Sequence, residues 1–159
     1  MSISSVLTAT KTVVASTTNY AASGANRNVT IGDFKILDKG IDRAVVIEYL
    51  PSDHGPGTSP IVTHNTYASI HNIVVRVYRR YREDGTTYEN LVVDVDAIIA
   101  KFNEYPKLAL GRTSTVIRAV VERTGDVFAL FDSAGEGPYF IRMDIFLEAT
   151  ESVSRTPLE

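Results

Sequence analysis

The sequence predicts an α+β fold: an antiparallel sheet of about four or five strands with two helices packed on one face, in a single domain spanning residues 1–159. Three observations predict it. The segment HNIVVRVYRRY, residues 71–81, alternates apolar and polar positions as a half-buried strand does. Residues 86–103 carry one apolar stripe at helical spacing, the pattern of a helix lying on a sheet. Three strand-like runs then follow with only turns between them, so the strand–helix–strand alternation of a parallel sheet is missing. The chain has 159 residues and is 44% hydrophobic, enough for one core but not for a second full domain.

The first element is a helix within residues 1–23. Ile3, Val6, Leu7, Val13, Val14, Tyr20 and Ala21 recur at steps of three, four and seven, with Ser4 or Ser5 available as a cap. Its many threonines are weak helix formers, so the segment needs packing to hold it. SGANRN breaks the pattern. A short extended piece, a turn at Lys39-Gly40 and the strand AVVIEYL follow, with Val45, Ile47 and Tyr49 on one face and Pro51 ending the run. Residues 52–66 mix Gly, Pro, Ser and Thr without periodicity and read as a long loop. Loops of this length in compact domains tend to be functional or ordered by a partner.

In the strand of residues 71–81, His71, Ile73, Val75 and Val77 share one face, and Asn72, Arg76, Tyr78 and Arg80 the other. REDG turns the chain. Thr86 and Glu89 are spaced as a capping box for a helix running to about Asn103, whose stripe is Leu91, Val92, Val95, Ile98, Ile99 and Phe102. Pro106 stops it. The closing strands are STVIRAVVER, DVFALFD and PYFIRMDIFLEA, joined by a tight hairpin at Thr124-Gly125-Asp126 and a wider one over residues 133–137, which predicts a meander.

With 16 basic and 19 acidic residues the formal net charge is -3, so no global field drives the chain onto nucleic acid or an anionic membrane. The absence of cysteine removes disulfides and thiolate chemistry and suits a reducing compartment. The N-terminal residues resemble neither a secretory signal nor a membrane span, and the product is expected to be soluble. His54, His64 and His71 are spaced too widely for the usual zinc pairs, so no metal site is expected. Ser52, Asp53 and His54 are neighbours in sequence, which is not the converging geometry of a triad. HGPGTS and SAGEGP lack the Gly-Lys-Ser/Thr ending of a phosphate loop and read as turns. Asp94 and Asp96 point about 200° apart on a helix and read as a solvated surface or, for one of them, an interface contact. Neither catalytic residues nor a cofactor are expected, and the chain reads as a non-enzyme. Arg76, Arg79, Arg80 and Arg82, followed by Glu83 and Asp84, form the main basic concentration; such mixed charge fits an edge or an intersubunit contact better than a nucleic-acid stripe.

The stretch IGDFKILDKGIDRAVVIEYLP, the strand HNIVVRVYRRY, the helix segment LVVDVDAIIAKF and the closing FALFDSAGEGPYFIRMDIFLEAT resemble tail terminator, or tail-completion, proteins of long-tailed bacteriophages over about residues 30–150. The resemblance implies a virion subunit, assembled in the host cytoplasm, that forms a ring, commonly a hexamer. Such a ring caps the head-proximal end of the tail tube, stops its polymerisation and joins the tail to the neck. Its partners would be copies of itself, the tail tube protein and a head-completion or neck protein, with DNA passing through the lumen and no membrane. On this expectation Arg79, Arg80, Arg82, Glu83 and Asp84 are candidate intersubunit contacts, and Asp53, His54 and His64 mark a partner-contact loop. The alternatives are another neck or head–tail joining protein and a small-ligand binding domain with a cleft between sheet and helices.

Overall fold

The computed structural model describes residues 3–32, 41–50, 61–63, 66–109, 116–131 and 138–154. In chain order these form α1 (Ile3–Ala15), β1 (Val29–Ile31), β2 (Arg43–Leu50), β3 (Ile61–Thr63), β4 (Thr66–Arg80), α2 (Thr87–Glu104), β5 (Val116–Phe131) and β6 (Pro138–Ser154). The architecture is α+β, with a mixed but mostly antiparallel sheet in the order β1-β2-β4-β6-β5 and the short β3 pairing with β4. Both helices pack on one face of it. Neither helix is long and apolar enough to cross a membrane among the described residues.

The helix-covered face holds the main core. Val45 and Ile47 of β2, Ile73, Val75 and Val77 of β4, and Ile141, Ile145 and Leu147 of β6 meet Val6, Val13 and Val14 of α1 and Leu91, Val95, Ile98 and Phe102 of α2. The strand alternation and the α2 stripe therefore point where their periodicity requires.

The N-terminal helix is shorter than its apolar spacing predicts. It ends at Ala15, and Tyr20 and Ala21 belong to the following loop, where Asn19 has a φ of 71°. The Asn28 side chain ties that loop together, accepting the Ala21 N–H at 2.8 Å and donating to the Asn19 carbonyl at 2.9 Å. Within α1, the hydroxyls of Thr8, Thr10 and Thr12 each donate to the carbonyl four residues earlier. These back-bonds satisfy the polar groups, and Thr10 is fully buried as a result.

Sheet connectivity departs from a meander in three ways. β1 pairs parallel to β2, Val29 opposite Val45. β6, last in sequence, inserts between β4 and β5 and is antiparallel to both, so β4–α2–β5 is a split crossover whose two strands run parallel with another strand between them. The predicted tight hairpin at Thr124-Gly125-Asp126 does not form, and the two runs flanking it are one strand. Pairing steps from Thr124–Ile145 to Val127–Met143 across an irregularity, and Gly125 does not adopt a positive φ. A glycine inside a strand here marks a bulge, not a turn.

Part of the predicted loop 52–66 is also ordered as strand, since Ile61–Thr63 pairs with the start of β4. Residues 51–60, 64–65 and the Lys39-Gly40 turn lie outside the described residues. The link between β4 and α2 turns at Gly85, whose φ of 76° suits a residue without a side chain. Thr86 makes no side-chain cap to α2. Instead the Asp84 carboxylate accepts both the N–H and the hydroxyl of Thr86, at 3.0 and 2.8 Å, and the Thr87 hydroxyl closes on the Arg82 backbone. The predicted capping box is thus replaced by an aspartate turn one step earlier.

Candidate functional site

The arginine concentration does converge. Arg79 and Arg80 at the end of β4, Arg82 and Asp84 in the turn, and Thr86, Thr87 and Asn90 at the start of α2 line a cleft of about 270 Å³ with Asp42. Every cation in it already has a partner. Arg79 donates to Asp94 at 2.8 Å, Arg82 to Asp42 at 2.9 Å, and Arg80 to the Ile41 carbonyl at 3.0 Å while lying 5.3 Å from the Phe140 ring centre. Asp84 occupies the position at the helix start that an external anion would take. Its hydrogen bonds from Thr86 hold its carboxyl below the usual range. The cleft's three arginines are thus engaged by the chain's own groups, and Glu83 is not part of its lining.

Asp94 corrects the expectation of a solvated aspartate on α2. It is buried and ties three elements together, meeting Arg79 of β4 at 2.8 Å and Arg43 of β2 at 3.4 Å. The Arg43 guanidinium in turn lies 5.9 Å from the Tyr20 ring centre. The Tyr20 hydroxyl is buried close to this group without a well-formed hydrogen bond, and burial, reinforced by the Asp94 charge, raises its ionisation well above the ordinary tyrosine range. Arg79 therefore acts within the chain. Asp96, two residues on, is exposed.

The sheet face away from the helices carries a second layer of chemistry. Arg76 bridges Glu48 at 2.8 Å and Asp144 at 3.0 Å, and Arg142 approaches Asp144 at 3.1 Å as an ion pair without hydrogen-bond alignment. Burial raises the Asp144 carboxyl, with the two arginines opposing the shift. Arg142 sits 4.9 Å from the Phe128 ring centre and 6.0 Å from that of Tyr78, and Arg123 sits 3.9 Å from that of Phe146. Beside this network Ala44, Val46, Tyr78 and Phe140 form a smaller buried cluster. The sequence alternation had marked this face only as polar. It missed that arginines and aromatic rings of three neighbouring strands interleave, because the strand order that brings them together is not written in any one strand.

His71 lies on the core face, as its alternation predicts, and meets Glu151 of β6 at 3.0 Å with both side chains nearly or fully buried. The pair links strands 80 residues apart in sequence. Asp53, His54 and His64 lie outside the described residues. Among the described residues no three His, Asp, Glu or Cys side chains are grouped to hold a metal ion.

No family model matches the sequence, and no curated protein matches it. Among solved structures the chain is similar to one whose name states no function, over 99% of this chain and 100% of the other, at 10% identity and a TM-score of 0.45. A likeness of that degree assigns neither fold nor function.

Proposed function

We propose that the chain is a structural assembly subunit, a tail terminator that forms a ring on the head-proximal end of a phage tail tube and connects it to the neck. The observation that carries this reading is the two-layer architecture. Both helices cover one face of the sheet, while the other presents arginines stacked on aromatic rings. Beside its buried cluster that face exposes Arg123 and Phe128, a cation and a ring suited to contact with another protein surface. The polar groups of the core and cleft are joined to one another across strands, as a scaffold requires.

Native mass spectrometry and sedimentation of the purified protein, followed by electron microscopy with tail tubes, test the proposal. The expected result is a closed oligomer that binds one end of the tube and arrests its growth. A chain that stays monomeric and leaves tube growth unchanged overturns it. Tails of normal length that fail to join heads, in a phage lacking the protein, would favour the neck-joining alternative.

A further inference from the structure

Asp144 divides its two carboxylate oxygens between two arginines, and the two contacts are unequal. Oδ2 accepts a hydrogen bond from Nη1 of Arg76 at 3.0 Å, while the Nε of the same arginine donates to Glu48 at 2.8 Å. Oδ1 faces Nε of Arg142 at 3.1 Å, close enough for an ion pair, yet both atoms are buried and neither has a hydrogen-bond partner. Arg142 is the loosely held member of the group. Asp144 is the acid it meets among the described residues, its other neighbours are the rings of Phe128 and Tyr78, and its side chain keeps 20% exposure.

The charges that bear on Asp144 come from three strands. β2 presents Glu48, β4 Arg76 and Tyr78, and β6 Arg142 itself. β5 sets Gly125 against the Asp144 side chain and Phe128 beside Arg142, and its own charged groups act elsewhere. Arg123 lies on Phe146, Glu122 and Arg118 act on Glu148, and Asp126 is exposed. Burial holds the Asp144 carboxyl above the usual range although two arginines adjoin it, so it takes up a proton before an exposed aspartate does.

We propose that Asp144 is a proton-operated latch for Arg142. A proton from solvent settles on Oδ1, the oxygen that accepts no hydrogen bond, and Oδ2 stays with Arg76. The new O–H and the Arg142 Nε–H are then two donors facing each other at hydrogen-bond distance, an arrangement that satisfies neither. Arg142 turns away from the acid. The network of Glu48, Arg76, Asp144 and Arg142 passes from balanced to net positive, and the released guanidinium lies on the same face as the exposed Phe128 ring. Mild acid thus gives that face a free cation, a local charge change with a surface readout. The latch stands whether or not copies of the chain assemble.

Heteronuclear NMR of the purified protein tests it, following aspartate carboxyl carbons and arginine Nε–H groups from neutral pH into the carboxylate range. The Asp144 carboxyl is expected to titrate above those of the exposed Asp96 and Asp126, and the Arg142 Nε–H resonance to shift with the Asp144 midpoint. In Asp144→Asn, whose side chain carries no charge at any pH, the shift of Arg142 is expected to be lost. Glu148→Gln removes the other raised carboxyl of this face and is expected to leave the Arg142 midpoint in place. The latch is overturned if Asp144 titrates with or below the exposed aspartates, if Arg142 follows a different midpoint, or if Arg142 still shifts in a folded Asp144→Asn. Where that variant does not fold, the titration of the parent and of Glu148→Gln decides.

Discussion

Asp94 is the side chain on which most of the local order converges. Replacing it with Ala strands Arg43 and Arg79, and we expect a loss on the order of 2–3 kcal/mol in urea unfolding, below the cost of a fully buried pair because the arginines keep some exposure. Asp96→Ala is expected to stay within about 0.5 kcal/mol, since it is exposed and forms no salt bridge among the described residues. Tyr20 gives a pH test of the same group. Its ionisation is raised in the folded state, so the unfolded chain gives up its proton first, and stability falls as pH rises above roughly 10. Tyr20→Phe is expected to flatten that fall, measured as unfolding midpoint against pH; an unchanged slope would show that the hydroxyl stays accessible to water. Sequence spacing separated Asp94 from Asp96 by angle alone. It could not tell which aspartate faces the core, because the deciding arginines lie on two other strands.

At the scale of elements, the helix stripe and the strand alternation were legible because each is a local period with one buried face. Gly125 was legible only as a break. Whether such a glycine turns a hairpin or bulges a strand depends on whether β6 continues to pair on both sides of it, and here it does. The two readings differ in what alanine would do. A Cβ on Gly125 would meet Phe146 at 3.4 Å, ordinary contact, so Gly125→Ala is expected to change stability by less than about 0.5 kcal/mol. Gly85, with its positive φ, is expected to lose about 1–2 kcal/mol as alanine even though its surroundings are open. Equal thermal shifts for the two variants would contradict the bulge. The end of α1 escaped sequence reading for a related reason. Tyr20 and Ala21 keep helical spacing by coincidence, while Asn19 and Asn28 impose a turn through hydrogen bonds seven and nine residues apart.

For the whole molecule, the class of fold followed from the balance of periods, but the strand order did not, since no local pattern distinguishes a meander from an insertion. The cleft was legible as a run of arginines; their partners were not, because Asp42 and Asp94 come from other segments. The place of β6 between β4 and β5 has a consequence in time. β4 and β5 do not pair with each other, so a nascent chain that has made everything up to Phe131 has two long strands still waiting for the one that joins them. The imidazole of His71 likewise waits for Glu151, 80 residues later. Folding is therefore a late, concerted event with many distant contacts, slow by comparison with a helical bundle of this size. During synthesis the growing subunit carries unclosed strands until its last one emerges, and refolding experiments should find α2 docking and β6 insertion in the same kinetic phase.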